Sequence, residues 1–249
     1  MMHFEKKLER PPYVHNWVRN IGSDLNSTIT RLVALALGFP VKSYTAATPI
    51  LVDRIVSSLN RTTAITAAMT TGRVNSREIV AEYVNAFYDY DEVRRYSGKP
   101  AYDEMVEPFR IGKGLIVPVK PLVTIVENGK LVPIFSVGWA KIPLNQFQRR
   151  LLATVLEDAV FSLTDFKNSP GEFIFFPRES SGQESARTPL VWKRGDIDLL
   201  SKNEVQDCLD MYIQALDAAK EIIREMPQRP LRPHPQPQSP DPRQFGWDI

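Results

Sequence analysis

The sequence predicts an α+β fold with a helical N-terminal region, a small mixed or antiparallel sheet with packed helices, and a disordered, Pro-rich C-terminal tail. Apolar residues recur at helical spacing over residues 21–107. Segments rich in Val and Ile alternate with helical patterns over residues 108–226. Residues 227–249 are rich in Pro and lack the apolar content of a packed core. Residues 1–20, where Arg-Pro-Pro-Tyr breaks any early helix, are expected to form an arm.

The helical region is predicted to contain amphipathic helices in succession. The first begins at Asp24 and ends at Gly38. The second begins near Pro49, and residues 62–72 either continue it or form a short separate helix. Residues 75–98 form the clearest helix, whose apolar stripe is predicted to face the core. One more short helix is predicted to follow and to close before Pro108.

The strands of the α/β region are predicted from runs of β-branched and aromatic residues. Asn128-Gly129 between two such runs is a strong signal for a two-residue hairpin. Further strands are predicted over residues 172–177 and 189–195. Proline lacks the N–H donor that a ladder needs, so the prolines in this region should lie at edges, bulges or strand ends.

Two long helices are predicted to pack on this sheet. Leu144–Leu163 has a broad apolar face that includes Leu151 and Val155. The final helix starts with a capping box formed by Ser201 and Glu204. Each helix should bury its apolar face against the sheet, and Trp139 before the first helix is expected in the core.

Composition favours an intracellular, cytoplasmic protein without a membrane span. The 249 residues carry a formal net charge of +2 and a single cysteine, Cys208, which excludes an internal disulfide. The charged first ten residues do not resemble a secretory signal. The longest apolar stretch is about half the length that a membrane span requires.

Charge is unevenly distributed along the chain. Up to Arg77 there are ten basic and four acidic residues, a net charge of +6, and the remainder therefore carries −4. A basic N-terminal third suits a polyanionic partner such as nucleic acid or an acidic protein surface. The alternative is a solvated surface with surplus Arg.

Several catalytic classes are excluded by residue content. The three histidines, His3, His15 and His234, all lie in terminal segments, so a His-based triad or His metal site inside the fold is not expected. One cysteine cannot form a Cys-rich zinc site, and Cys208 lies on the apolar stripe of the last helix. The glycines around Lys113 match neither phosphate-binding spacing. We therefore predict no cofactor and assign no catalytic residue.

One stretch resembles the core of the PD-(D/E)XK nuclease superfamily. The predicted order helix, three strands, helix, strand fits Tyr102–Pro177, about a third of the chain, with Lys141 following a strand. The sequence Gly-Asp-Ile-Asp-Leu at Gly195–Leu199 is similar to an element that carries a metal-binding Asp in some members. The resemblance implies Asp196 and Asp198 as metal ligands.

This chain departs from the superfamily pattern at one decisive position. The Glu-x-Lys motif requires an acid at position 139, where this chain has Trp139. The nearest upstream acid is Glu127, roughly a dozen residues before Lys141. At about 3.3 Å per strand residue, the two residues would lie at opposite ends of one strand. Two or three convergent acids are needed to hold a catalytic metal.

These observations favour a non-catalytic binding protein that contacts nucleic acid, DNA or RNA, through its basic helical region. A protein-interaction or scaffold role is the alternative, with residues 227–249 in an aromatic groove and helical faces forming an oligomer. A metal-dependent nuclease with dispersed carboxylates, including Asp196 and Asp198, is the third. The predicted nucleic-acid contacts are Arg54, Arg61, Arg73, Arg77, Lys141, Arg149 and Arg150.

Overall fold

The computed structural model describes residues 2–38, 44–102, 104–178 and 187–226, and it is an α+β protein as predicted. The helices are α1 (Met2–Leu8), α2 (Val14–Arg19), α3 (Leu25–Leu37), α4 (Ala47–Ser57), α5 (Arg61–Thr70), α6 (Arg77–Arg94), α7 (Gln146–Leu156) and α8 (Lys202–Glu225). The strands are β1 (Lys99–Pro100), β2 (Glu107–Gly112), β3 (Leu115–Val119), β4 (Val123–Glu127), β5 (Lys130–Val137), β6 (Glu172–Phe175) and β7 (Leu190–Lys193). The predicted disordered tail, 227–249, lies outside the described residues.

The main sheet is mixed and has the strand order β1-β4-β5-β6-β7. β5 and β6 are parallel and joined through α7, whereas the other neighbours are antiparallel. The predicted Asn128-Gly129 hairpin joins β4 to β5, and both residues have positive φ, which a type I′ turn requires. Pro133 lies one residue before the pairing of β5 with β6 begins at Ile134. Pro133 is thus inside a central strand, which corrects the expectation of an edge, bulge or strand end for this proline.

Alternating side chains of the central strands enter two separate cores. Ile134 and Ile174 face α4, α5 and α6, where α6 contributes Tyr83 and Phe87. Phe135 and Phe173 face the opposite side, which is covered by α2, α3, α7, α8 and the β2–β3 hairpin. The period of two along each strand thus builds a sheet with helices on both faces.

The N-terminal segment belongs to the folded body, so the expectation of an arm over residues 1–20 is corrected. Val14, Trp17 and Val18 are at i, i+3 and i+4 on α2 and are buried, with Trp17 fully enclosed. The Trp17 ring packs on Phe109 and on Tyr212 of α8, with centroid distances of 5.9 and 5.5 Å. Two short helices, α1 and α2, are enough to bring this segment into the core.

Several other predictions hold with changed boundaries, whereas the short helix predicted before Pro108 is wrong. Residues 62–72 contain a separate helix, α5, whereas residues 101–106 contain no helix in their described part and β2 begins at Glu107. α7 is shorter than predicted, because a π-helical turn occupies Glu157–Phe161. The capping box of Ser201 and Glu204 is present at α8, and Cys208 is buried in the core as predicted. In the described part of the chain, no helix is both long and apolar enough to cross a membrane.

Candidate functional site

Two of the predicted contact residues act as internal links. Arg54 donates to Asp91 of α6 at 2.6 Å, and its guanidinium lies 4.7 Å from the centre of the Tyr88 ring. Arg61 donates to Asp89 at 2.5 Å. These arginines join α4 and α5 to α6, so their charge is already neutralised within the helical region.

Three further predicted residues are also engaged within the fold and do not line the cleft described in the next paragraph. Arg149 lies over the Trp192 ring at 5.5 Å and donates to a backbone carbonyl. Arg150 forms an ion pair with Glu204 at 3.1 Å, which links α7 to α8. Arg77 is half-buried, and its Nε is enclosed without a hydrogen-bond partner in the described part of the structure.

The remaining two predicted residues, Arg73 and Lys141, meet in one open cleft of about 930 Å³. We call it the cationic cleft. Its lining is Tyr13, His15, Asn16, Arg19, Tyr44, Thr45, Thr48, Arg73, Tyr83, Leu122, Ser136, Val137, Gly138, Trp139, Ala140, Lys141 and Pro143. Arg19 adds a third cation, which the sequence analysis did not select.

The cleft forms where β5 ends and the chain leaves the sheet. One wall is α2, the other is the start of α4, and Arg73 enters from the connection between α5 and α6. Gly138 permits this closure, because a Cβ there would lie 2.5 Å from the Tyr83 ring and 2.8 Å from the Tyr44 ring. The chain therefore brings residues from six separate stretches of the sequence to one place.

Aromatic rings alternate with the cations around the cleft. Tyr13 stacks with His15 at a centroid distance of 6.4 Å, and His15 meets the edge of Trp139 at 5.7 Å. The Arg19 guanidinium lies 5.7 Å from the centre of the Trp139 ring. On the other side, the rings of Tyr44 and Tyr83 are perpendicular at 5.8 Å. The contact between the Arg19 guanidinium and the Trp139 ring is a cation–π interaction, which also fixes the Arg19 side chain.

The cleft is positive because no described lining residue is acidic. Arg19, Arg73 and Lys141 are exposed. Neither Arg73 nor Lys141 has a carboxylate partner in the described part of the chain. Burial lowers the pKa of His15 to about 4, so its ring is neutral near pH 7. The positive charge is therefore supplied by the three long side chains.

The floor of the cleft rests on a buried arginine. The Arg187 side chain is fully enclosed and donates to the backbone carbonyls of Gly138 and Phe176 at 3.0 and 2.8 Å. Glu82 accepts from Arg187 at 3.1 Å and from Arg178 at 2.7 Å. Because the carboxylate sits behind the cleft and is shared by two guanidiniums, it does not offset the charge at the cleft surface.

Tyr83 and Ser136 supply polar groups at the inner wall. Their hydroxyl oxygens are 2.6 Å apart. Burial raises the pKa of Tyr83 well above that of free tyrosine, so the phenol stays protonated. The pair can offer a neutral hydrogen bond to a ligand but no charged group.

The residues that the nuclease resemblance requires are not gathered here. Asp196 accepts the backbone N–H of Lys193 at 2.8 Å in an exposed turn, and neither Asp196 nor Asp198 lines the cleft that holds Lys141. Glu127 forms an ion pair with Arg94 at 2.7 Å, which lowers the pKa of its carboxyl. Within the described ranges, no group of three or more His, Cys, Asp or Glu could hold a metal ion.

Sequence reasoning missed most of the cleft wall. His15, expected in a terminal arm with the rest of residues 1–20, instead lies in the folded body, since α2 places it between Tyr13 and Trp139. The spacing of Val14, Trp17 and Val18 was a usable signal, because it defines a buried face and leaves His15 and Arg19, four residues apart, on another. Nothing in the sequence indicated that this face would meet the end of β5.

Comparison with known proteins finds no relative. No protein-family model matches the chain, and no match is found among curated proteins or solved structures.

Proposed function

We propose that this protein binds nucleic acid through the cationic cleft and does so without catalysis. The observation that supports the proposal is the combination in one cleft of Arg19, Arg73 and Lys141 with aromatic rings and without a described acidic residue. The cations suit phosphate groups, and the rings suit bases. A cytoplasmic location, expected from the single cysteine, belongs to the same proposal.

The proposal reduces the predicted set of nucleic-acid contacts to the basic residues of the cleft that have no carboxylate partner among the described residues. Arg54 and Arg61 are held by carboxylates at 2.6 and 2.5 Å, so a phosphate would have to displace an existing partner. Arg73 and Lys141 require no such exchange within the described structure. A phosphate that reaches them releases condensed counterions, which drives binding and makes it depend on salt.

The test measures binding by fluorescence anisotropy with labelled DNA and RNA of mixed sequence. The variant is Arg73→Ala with Lys141→Ala, and the matched control is Arg61→Ala with Arg149→Ala, which removes the same charge outside the cleft. We expect the cleft variant to bind at least about tenfold more weakly at low salt and its salt slope to fall by about 2. The control should retain most of the affinity.

Two results would contradict the proposal. The first is that the unmodified protein binds neither polymer at about 50 mM salt, where phosphate contacts are strong. Equal losses in the cleft variant and the control would place binding on the general surface charge. Thermal unfolding of each variant verifies that a loss of affinity does not arise from loss of the fold.

A further inference from the structure

We propose that the cationic cleft selects a short unpaired segment of nucleic acid over a duplex. The inference rests on the proposed function and specifies the ligand of the same site. Unpaired bases can be turned towards the protein, whereas the bases of a duplex are stacked on one another and present only their edges. Three features of the cleft and its surroundings support this choice.

The first feature is that the aromatic rings lie at different depths, with Tyr13 accessible to a base and Trp139 set within the wall. Tyr13 is 44% exposed at the rim, and Trp139, at 9%, lies deeper beside Arg19. A ring at the rim can stack with a base that is free to turn, and every base has a face for such stacking. A duplex would reach the cations through its backbone only and leave these rings unused.

The second feature is an apolar groove that continues the cleft. Thr48 and Leu122 line both the cleft and a neighbouring groove of about 390 Å³. Most of the other lining residues of this groove are apolar, among them Val56, Tyr102, Met105 and Val123. Lys120, which also lines it, is paired with Glu104. A strand held at the cleft can therefore place further bases against apolar side chains.

The third feature limits the length of the bound strand. Beyond Tyr102 and Met105 the groove continues into a space where Glu107 and Asp165 add two further carboxylates to the lining. These carboxylates repel phosphates, so the path is favourable only from the cations to the apolar groove. We expect a site size near the short end of the roughly 4–16 nucleotides that single-strand-binding folds cover.

Binding is measured with a single strand and with the blunt duplex of the same sequence, in parallel with Tyr13→Ala and Tyr13→Phe. We expect the single strand to bind at least about tenfold more tightly than the duplex. Tyr13→Ala should weaken single-strand binding by roughly 5- to 150-fold, the equivalent of about 1–3 kcal/mol for one stacked base. Tyr13→Phe keeps the ring and should bind like the unmodified protein.

The groove is tested with Val56→Glu, which introduces a negative charge beside the proposed strand path. Val93→Glu is the matched control, since Val93 is 84% exposed and does not line the groove. We expect Val56→Glu to weaken binding of an eight-nucleotide strand by at least about fivefold and to leave a trinucleotide unaffected. Val93→Glu should change neither.

The outcomes separate this inference from the proposed function. Equal affinity for strand and duplex, or an unchanged Tyr13→Ala variant, overturns the preference for unpaired nucleic acid and leaves cleft binding intact. If Val56→Glu weakens binding of the trinucleotide as well as of the eight-nucleotide strand, the proposed path of the strand along the groove is overturned. Absence of binding to every nucleic acid at low salt overturns the proposed function itself.

Discussion

The α4–α6 helical layer and the cationic cleft both contain arginines from the basic N-terminal third, but they use them differently. In the helical layer Arg54 and Arg61 are 2.6 and 2.5 Å from carboxylates of α6. In the cleft, Arg73 has no carboxylate partner among the described residues, and Arg19 contacts a ring. An excess of basic residues along a sequence therefore does not identify the arginines that remain available to a ligand.

The two regions also differ in what their cations stabilise. An ion pair with a buried carboxylate contributes to the fold, because the partner would otherwise be left charged and desolvated. An exposed and unpaired cation contributes little to the fold and leaves its charge available. We expect substitutions at the Arg54–Asp91 pair, whose carboxylate is buried, to change stability and substitutions of the cleft cations to change binding.

The largest expected effect is that of Asp91→Ala in the helical layer. The Asp91 side chain is only 8% exposed and holds Arg54 against the Tyr88 ring. Its removal leaves the half-buried guanidinium without its partner, so the free energy of unfolding should fall by about 2–4 kcal/mol. Chemical denaturation measures this, with Asp53→Ala, an exposed acid on α4, as the control.

Nucleic-acid affinity of the same variant completes the comparison. At a temperature where Asp91→Ala remains folded, its affinity should match that of the unmodified protein. A stability change no larger than that of Asp53→Ala would show that the Arg54 pair is not what holds the helical layer together. A large gain of affinity would instead place the ligand on this layer, because the freed Arg54 would then contact it.

A smaller effect is expected at His15, on the cleft wall. Burial lowers the pKa of His15 to about 4, below the unfolded value of about 6.5. The unfolded state therefore takes up the proton first, and the contribution of neutral His15 to stability is lost as pH falls from about 6.5 to about 4. Because the ring is half-buried and borders open solvent, we expect a loss of about 1–3 kcal/mol.

The measurement is the unfolding free energy of the unmodified protein and of His15→Gln at several pH values. Carboxylates titrate in both proteins, so the difference between the two curves isolates the imidazole. The difference should shrink from pH 7 towards pH 4. Parallel curves would show that His15 is not enclosed by Tyr13 and Trp139 in the way the structure has it.

Much of the fold was predictable because local signals and burial agree. The apolar stripe of α6, the Asn128-Gly129 turn and the Ser201–Glu204 capping box each specify their own conformation within a few residues. Residues 1–20 were misjudged because charged residues and two prolines hide the spacing of Val14, Trp17 and Val18. That spacing is short, and its burial depends on α8 and β2 far along the chain.

The cleft was less predictable, since it depends on residues that are distant in sequence. Arg73 and Lys141 were selected for their charge, yet five other basic residues were selected on the same ground and lie elsewhere. For Arg54 and Arg61 the difference is an acidic partner, Asp91 and Asp89 respectively, 37 and 28 residues away along the chain. Pairing at such separations is set by the packing of α4 and α5 on α6, which sequence spacing alone does not specify.

The smallest expected effect tests whether pairing alone separates the two regions. Asp89→Asn with Glu92→Gln removes both carboxylates near Arg61, at 2.5 and 3.5 Å. An exposed pair is worth about 0.2–1 kcal/mol, so stability should change little and affinity for nucleic acid at low salt should rise by roughly twofold to fivefold. Asp207→Asn with Glu221→Gln makes the same change in net charge on exposed positions of α8 and serves as the control.

If both double variants gain affinity equally, the gain reflects total charge. If only the first gains, the freed Arg61 has become an additional contact, and the carboxylates of α6 are what keep nucleic acid away from the helical layer.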